Sequence, residues 1–376
     1  MYIQSKLDKA KAYRVRQANG LESKVDFASN DYLGLALDNV LEHVQLVGEN
    51  TRSSRMLFGQ HKALSFVEEY LAKAFGFESA VLFPTGYQAN VGLVSAFSGR
   101  RVAFYCDQLI HASMHDGLRL GVNNRYFYKH NDATDLQQLL EKHAEDSDIN
   151  IVLTEGLFSM DGDKASQTEI KRVAKKFGAK IIVDEAHSAG VFGDEGEGLW
   201  QNDDCILAKV VTFGKAYAGE GAVVLCSAET KEFLYQYCRA LIFSTAPSKS
   251  FCEQVHWAMQ KVQSASGNRA QLKSNIAFFR KNLNNEFVRS NRLLGDEESP
   301  VQALLFDTSR LLEIEKKAEK QNIAIKAIFY PTVAKGEERL RISLHAFNTE
   351  NEILQLCNLL NSELCNEFVL PASLPK

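Results

Sequence analysis

Short apolar runs of strand length recur along the chain, separated by segments with helical spacing. The runs are VAFYC at 102–106, NIVL at 150–153, KIIV at 180–183, AKVVT at 208–212 and AVVLC at 222–226. Their apolar residues are continuous rather than alternating, which is typical of parallel strands whose two faces are both covered by helices. The pattern therefore predicts the buried strands of a mostly parallel sheet.

Helical spacing fills the segments between these runs. Apolar residues recur every three or four positions over 62–75, and Gly76 predicts the end of that helix. Ser166 and Glu169 have capping-box spacing at the start of a second helix, which we expect to end at Gly178. Strands that alternate with helices indicate an α/β domain.

The pattern changes after the last of the apolar runs, and this change divides the chain. A smaller α+β unit is predicted by a helical stretch followed by strand-like runs and a closing helix, at 251–290, 301–306, 322–329, 339–344 and 350–364. We therefore predict an N-terminal arm over 1–39, a large domain over 40–255, and a bridging helix with a small C-terminal domain over 256–376.

Composition narrows the class of protein. The chain has 376 residues, of which 45% are hydrophobic, and its formal net charge of −4 gives no overall attraction to nucleic acid or membrane surfaces. It has no apolar run of about 18 residues and no signal-peptide core near its start. Seven cysteines without C-x-x-C spacing indicate neither a disulfide framework nor a zinc site. We expect a cytoplasmic globular protein with no nucleic acid, membrane or metal as partner.

Chemically useful side chains follow the predicted strands, at the edge where open α/β sheets bind ligands. The run at 180–183 leads into DEAH, with Asp184 and His187, and the run ending in Thr212 leads to Lys215. DEAH is also a helicase motif, but the chain lacks the phosphate loop G-x-x-x-x-G-K-[ST] that a helicase requires. The G-x-G-x-x-G dinucleotide turn, the H-E-x-x-H zinc helix and the G-x-S-x-G nucleophile elbow are also missing.

Lys215 and Asp184 together point to pyridoxal phosphate (PLP). Lys215 lies between Gly214 and Ala216 in a stretch without another charge, so a desolvated amine there can act as a nucleophile. PLP requires such a lysine, together with a carboxylate that keeps its ring nitrogen protonated.

Further polar groups complete the predicted cofactor site. Gly86 and Tyr87 offer backbone N–H groups at a helix start, where the helix dipole favours a phosphate, and the Thr212 hydroxyl can add a contact. His111 can stack on the ring, and His187 can hydrogen-bond the ring hydroxyl.

These residues lie in longer strings that resemble the α-oxoamine synthase family of fold-type I PLP enzymes over nearly the whole chain. The strings are SNDYLGL (29–35), FPTGYQANVG (83–92), DQLIHASMHDG (107–117), TEGLFSMDGD (154–163), VDEAHSAGVFG (183–193), VTFGKAYAGEGAVVLCS (211–227), FST (243–245) and PTVAKGEERLRISL (331–344). The resemblance implies a large domain with a mostly parallel sheet, a smaller C-terminal α+β domain and an N-terminal arm.

The resemblance also implies roles for individual residues. Toward the cofactor, it implies a covalent bond from Lys215, a ring-nitrogen contact from Asp184, stacking by His111, contacts to the ring hydroxyl from His187 and Ser159, and a phosphate site at Gly86, Tyr87 and Thr212. Toward the substrates, it implies contacts from Asn30 and Arg341 to the amino-acid carboxylate, from Thr332 to the acyl substrate, and from an arginine of the arm, for which we choose Arg14 over Arg16.

Thr245 matches a loop that reaches the phosphate of the neighbouring subunit in relatives, which implies a homodimer with shared active sites. The chain departs from the family at Asn50–Arg55, where relatives have a glycine-rich stretch, and at Ala218, where a glycine is common. Loss of glycine restricts the backbone conformations open to both places.

Within the family, the strings are closest to the biotin-pathway member. That resemblance implies a decarboxylative condensation of L-alanine with pimeloyl-CoA or a pimeloyl carrier protein. Other members stay open as alternatives: a 2-amino-3-ketobutyrate CoA ligase, an enzyme like serine palmitoyltransferase, or a long-chain aminoketone synthase. A non-catalytic subunit is the remaining alternative, and Lys215 argues against it because such subunits typically lack that lysine.

Overall fold

The structure is a computed structural model that describes residues 2–13, 24–37 and 51–367. The described residues form two compact units. The larger unit comprises Leu33–Phe158 and Lys164–Arg269, and the smaller comprises Met1–Tyr32, Ser159–Asp163 and Ala270–Lys376. None of the helices in the described part of the chain has the length and apolar character needed to span a lipid bilayer.

The strands, in chain order, are β1 Val25–Asp26, β2 Ser79–Phe83, β3 Val102–Asp107, β4 Asn124–Tyr128, β5 Ile149–Glu155, β6 Lys180–Asp184, β7 Ile206–Thr212, β8 Ala222–Cys226, β9 Leu293–Leu294, β10 Val301–Leu305, β11 Ile323–Ala324, β12 Lys326–Ile328 and β13 Arg339–Ser343.

The helices are α1 Tyr2–Tyr13, α2 Lys62–Ala74, α3 Gly86–Ala96, α4 Ala112–Arg119, α5 Ala133–His143, α6 Gln167–Lys176, α7 Ala228–Tyr237, α8 Arg239–Ile242, α9 Lys249–Ser264, α10 Ser266–Asn282, α11 Glu286–Arg289, α12 Thr308–Lys320 and α13 Glu350–Glu367.

The larger unit is built on a seven-stranded sheet with the order β2-β8-β7-β6-β5-β3-β4. Neighbouring strands from β7 to β4 are parallel, whereas β8 runs antiparallel to both β2 and β7. The predicted α/β fold with a mostly parallel sheet is therefore confirmed, and β8 is the one strand whose predicted parallel direction is wrong.

Both faces of this sheet are buried, which explains the continuous apolar runs. Phe104 and Cys106 belong to one hydrophobic cluster, and their neighbours Ala103 and Tyr105 belong to another. Alternate residues of each central strand thus pack into different clusters, so a polar position on either face would be buried. The edge strand β4 instead alternates in burial, and the sequence prediction missed it together with β2.

The predicted helices are present, with two differences in detail. Helix α6 begins after Ser166, but the Ser166 side chain makes no capping hydrogen bond, so the predicted capping box does not form. The stretch 251–290, predicted as a single bridge, is divided into most of α9, which begins at Lys249, and the helices α10 and α11. The chain passes from the larger to the smaller unit within α10, between Arg269 and Ala270.

The smaller unit contains a four-stranded antiparallel sheet with the order β12-β13-β10-β9, and a separate parallel pair of β1 and β11. This unit has the predicted α+β character. Its limits differ from the predicted segments, since Ser159–Asp163 belongs to it and its last stretch begins at Ala270 rather than 256. The predicted arm boundary at residue 39 lies outside the described residues.

Candidate active site

A cavity of about 540 Å³ lies in the larger unit, and strand ends supply much of its lining. The sequence-predicted residues that line it are Gly86, Tyr87, His111, Asp184, His187, Thr212 and Lys215. They come from β6, β7, the N-terminus of α3 and the segment before α4. Residues far apart in sequence meet here because parallel strands present their carboxyl ends at one edge of a sheet.

One part of the cavity is suited to an anion. Helix α3 begins at Gly86, and the Thr85 hydroxyl accepts a hydrogen bond from the Gln88 N–H at 3.1 Å. A Cβ at Gly86 would lie 2.4 Å from Thr212 Cγ2, so only glycine fits at this helix start. The Thr212 Oγ1 is buried and has no hydrogen-bond partner among the described residues. A phosphate would satisfy this hydroxyl and the N–H groups of the helix terminus together.

The buried Asp184 carboxylate is held by two donors. Asn90 Nδ2 donates to Oδ2 at 2.6 Å, and the Ala186 N–H donates to Oδ1 at 2.9 Å. Two directed bonds fix the plane of the carboxylate, which lines the same cavity as Lys215. A carboxylate held in this way can accept a hydrogen bond from a protonated heterocyclic nitrogen.

Glu155 is a second buried carboxyl group at the cavity, and it pairs in register with Asp184 across β5 and β6. Desolvation by burial raises the pKa of Glu155 well above its usual value, and the nearby Asp184 raises it further. Its Oε1 has no hydrogen-bond partner within the described part of the chain. The environment therefore favours a neutral acid at Glu155 beside Asp184.

His111 precedes α4 and caps it. Its Nδ1 lies 2.7 Å from Ser113 Oγ and accepts a hydrogen bond from the Ser113 N–H at 3.3 Å. Desolvation is the largest cause of a lowered His111 pKa; Asp184 opposes this shift, and Lys215 adds to it. The imidazole next to the cavity therefore favours its neutral form.

Lys215 begins a tight turn in which the Ala218 N–H donates to its carbonyl oxygen at 2.9 Å. Ala218 has a φ of +51°, in the left-handed region. The position where the family commonly has glycine thus keeps a glycine-like backbone with an alanine, at a cost of about 1–2 kcal/mol.

In the smaller unit, the structure brings Asn30 and Arg341 together. Arg341 Nη2 donates to Asn30 Oδ1 at 3.0 Å, and Nη1 donates to Ser343 Oγ at 3.0 Å. The Tyr32 hydroxyl also donates to Asn30 Oδ1, at 3.1 Å. This buried guanidinium is held in one plane, as recognition of a carboxylate requires.

The remaining predicted residues are placed as follows. The Ser159 carbonyl accepts a hydrogen bond from Arg341 Nε at 2.8 Å. This contact involves the backbone, so the cofactor contact expected of the Ser159 hydroxyl stays a prediction. Thr332 is exposed, and its N–H donates to the Phe329 carbonyl in a turn. Thr245 is exposed and forms an isolated antiparallel bridge with Ser54. Arg14 lies outside the described residues.

Comparison with known proteins assigns this chain to a family. Residues 22–360 match the sequence family described as aminotransferase class I and II. The chain is 34% identical over 373 residues to the 8-amino-7-oxononanoate synthase of Pectobacterium atrosepticum, covering 93% of this chain and 94% of that protein. The chain belongs to the α-oxoamine synthase family of fold-type I PLP enzymes.

Solved structures of α-oxoamine synthases agree with this assignment. A serine palmitoyltransferase from S. paucimobilis with a bound PLP–myriocin aldimine is 26% identical, with a TM-score of 0.84 over 98% of this chain and 96% of that one. The 8-amino-7-oxononanoate synthase of Francisella tularensis is 27% identical, with a TM-score of 0.77 over 93% of this chain and 100% of that one. The protein is a PLP-dependent acyltransferase.

The cavity of this α-oxoamine synthase fits PLP. The unpartnered Thr212 hydroxyl and the start of α3 suit the phosphate, Lys215 suits the aldehyde, and the fixed Asp184 carboxylate suits the ring nitrogen. The cavity thus offers a suitable group for each of these three parts of the cofactor.

Three residues of this α-oxoamine synthase site have no role predicted from the sequence: Asn90, Ser113 and Glu155. Asn90 and Ser113 each carried a local signal. Asn90 is four residues after Gly86, on the same face of α3, and Ser113 is two residues after His111. Glu155 ends the strand next to Asp184, and the register of that pair could not be read from either strand alone.

Proposed function

We propose that the enzyme condenses L-alanine with a pimeloyl thioester, of CoA or of a carrier protein, to give 8-amino-7-oxononanoate, CO₂ and the free thiol. The observation that carries the proposal is the cavity that Lys215, Asp184 and the Gly86–Thr212 pair line together. The choice of substrates is supported by the Pectobacterium relative, which matches over nearly the full length of both chains.

Lys215 and Asp184 carry the central steps of this proposal. Bound PLP supplies an electron sink for the bonds broken at the amino-acid Cα. Lys215 would hold the cofactor through its aldehyde, and its amine would take up the Cα proton once the amino acid is bound. Asp184 keeps the ring nitrogen protonated throughout.

The other site residues bind and orient. His111 stacks on the ring, and His187 and Ser159 hydrogen-bond its hydroxyl. Arg341 and Asn30 bind the alanine carboxylate until it leaves as CO₂, which the planar, buried Arg341 guanidinium supports. Thr332 contacts the acyl substrate, and Arg14 of the N-terminal arm contacts substrate.

We further propose a homodimer in which Thr245 reaches the cofactor phosphate of the other subunit. The bridge between Thr245 and Ser54 supports this, because the adjoining segment carries apolar side chains that are exposed among the described residues. Leu57 is 64% exposed and Phe58 fully exposed. A second copy of the chain is the partner that this arrangement favours.

A product assay tests the proposed reaction. The purified, PLP-loaded protein is given L-alanine and pimeloyl-CoA, and products are identified by mass spectrometry. We expect 8-amino-7-oxononanoate together with matching amounts of CO₂ and CoA thiol. Lys215→Ala should abolish turnover while the protein stays folded, whereas Lys180→Ala, at the opposite end of the sheet, should keep full activity. Turnover by Lys215→Ala would contradict the assignment of the lysine.

A second candidate, condensation of serine with a long-chain acyl-CoA, is supported by the serine palmitoyltransferase structure. A screen of alanine, serine and glycine, each with pimeloyl-CoA, palmitoyl-CoA and acetyl-CoA, separates the candidates. Preference for serine with palmitoyl-CoA would replace the proposed substrates while leaving the chemistry at Lys215 intact.

A further inference from the structure

A continuous hydrogen-bonded path joins the two sides of the cofactor cavity. Asn90 Nδ2 donates to Asp184 Oδ2 at 2.6 Å and to Ser113 Oγ at 3.0 Å, and Ser113 Oγ lies 2.7 Å from His111 Nδ1. Asn90 and Ser113 are almost fully buried, so water cannot replace these contacts. The path runs from the carboxylate proposed for the ring nitrogen to the imidazole proposed to stack on the ring.

The positions of the protons along this path follow from the donors and acceptors. The Asp184 carboxylate oxygen accepts, so Asn90 must present its amide nitrogen there, because a rotated amide would place its oxygen against the carboxylate. The second N–H of Asn90 then occupies a lone pair of Ser113 Oγ. The Ser113 hydroxyl keeps its own proton free to donate to His111 Nδ1.

The backbone settles the direction of that last hydrogen bond. The Ser113 N–H also points at His111 Nδ1, at 3.3 Å, and a backbone N–H can only donate. A proton on Nδ1 would face this N–H. The nitrogen therefore acts as an acceptor, and the ring proton of neutral His111 is on Nε2.

We propose that Asn90 and Ser113 are positioning residues that transmit the orientation of Asp184 to His111 and hold the imidazole neutral with its proton on Nε2. The path then makes Nε2 of the His111 imidazole a hydrogen-bond donor rather than an acceptor. The consequence for catalysis rests on the proposed roles of His111 and Asp184, whereas the protonation state can be measured without any substrate.

Other charged or titratable groups also act on His111, and the test must account for them. They are Asp184 at the end of β6, Lys215 after β7, Asp116 and His115 on α4, and Glu155 on β5, whose carboxyl group accepts from the His111 backbone N–H. Changes at Ser113 remove a hydrogen bond and leave all of these groups in place.

Nitrogen-15 NMR of the histidine-labelled holoenzyme tests the proposal, with His111→Gln to assign the signal. We expect the Nε2–H tautomer in the wild type at neutral pH. Ser113→Ala should mix the two tautomers and move the protonation midpoint of His111 to higher pH, because the neutral ring loses a donor at Nδ1. Ser113→Thr should restore the wild-type signal. A proton on Nδ1 in the wild type, or an unchanged spectrum in Ser113→Ala, would overturn the proposal.

Steady-state kinetics gives a second measurement. Ser113→Ala and Asn90→Ala should lower kcat by roughly tenfold, the equivalent of one hydrogen bond, with little change in the KM for the amino acid. The acidic limb of the pH profile should move to higher pH together with the NMR midpoint. Ser95→Ala on α3 and Asn275→Ala, a buried asparagine in the other unit, serve as matched controls for lost side-chain hydrogen bonds. A rise in the KM for the amino acid alone, with kcat and the pH profile unchanged, would contradict a positioning role.

Discussion

The hydroxyl of Thr212 connects the stability of the apoprotein to cofactor affinity. It is buried without a partner among the described residues, and such a group costs about 1–3 kcal/mol of stability. Replacing it by a methyl group, Thr212→Val, should therefore stabilise the apoprotein by about 1 kcal/mol and weaken PLP binding at the same time. Urea unfolding of the apoprotein and titration with PLP measure the two effects.

Thr230→Val is the matched control for this substitution. Thr230 is also buried, but its hydroxyl lies 3.1 Å from Ser227 Oγ, within hydrogen-bond distance. Its removal should destabilise the protein and leave PLP affinity unchanged. If Thr212→Val destabilised the apoprotein as Thr230→Val does, the hydroxyl would have a protein partner and would not be reserved for the phosphate.

Single residues of the site differ in how far the sequence reveals them. Asp184 ends β6, and Lys215 and His111 lie within four residues after β7 and β3, so the position of each at the edge of the sheet could be predicted. Asn90 could not, because its role depends on the approach of α3 to Asp184, which is 94 residues away in sequence. Its spacing from Gly86 places Asn90 on one face of α3, but it does not tell which residue of another element that face meets.

At the scale of elements, a buried ion pair fixes the segment that replaces the glycine-rich stretch of relatives. Arg55 Nη1 lies 2.5 Å from Glu68 Oε1 on α2, and Nη2 donates to the carbonyl of Leu82 on β2. Lys231 of α7 contacts the other Glu68 oxygen at 3.0 Å. The Arg55 and Glu68 side chains are each 1% exposed, so neither charge is solvated by water. One carboxylate therefore ties this segment to two helices and a strand.

Glu68→Gln should destabilise the protein strongly, because it leaves the Arg55 charge buried without its partner. The expected loss is about 3–5 kcal/mol in the free energy of unfolding, measured by urea denaturation. Asp148→Asn breaks the exposed Arg101–Asp148 pair and should change stability by less than about 1 kcal/mol. Equal effects of the two substitutions would show that the buried pair contributes no more than a surface contact.

The elements themselves were predictable where burial alone determines the pattern. The central strands are apolar throughout because helices cover both sheet faces, and five of them were predicted from that property. The direction of β8 was not predictable, since a buried antiparallel strand has the same composition as a parallel one. The capping box predicted at Ser166 does not form either. Its spacing allows the hydrogen bond, but Ser166 has a ψ of 62° and its side chain makes no capping hydrogen bond.

At the scale of the whole molecule, the exposed segment around residues 56–58 bears on assembly. Phe58 is fully exposed and has a φ of +78°, a conformation that a bulky residue adopts only at a cost. The described residues do not bury this large apolar side chain, so nothing among them offsets the cost of its conformation. Coverage by a second subunit would offset both the strain and the exposure.

The double substitution Leu57→Ser with Phe58→Ser should therefore weaken the proposed homodimer while the subunit fold is retained. Loss of two buried apolar side chains is expected to raise the dimer dissociation constant by at least about tenfold, measured by sedimentation velocity. Thr245 is proposed to act across the interface, so the activity of this variant should depend on the fraction of dimer. It should fall at low protein concentration and recover at high concentration. Leu120→Ser with Val122→Ser is the control, because these side chains are each 70% exposed but lie at the opposite edge of the sheet, just before β4. A variant that stays dimeric, or a dissociated variant that keeps full activity, would contradict shared active sites.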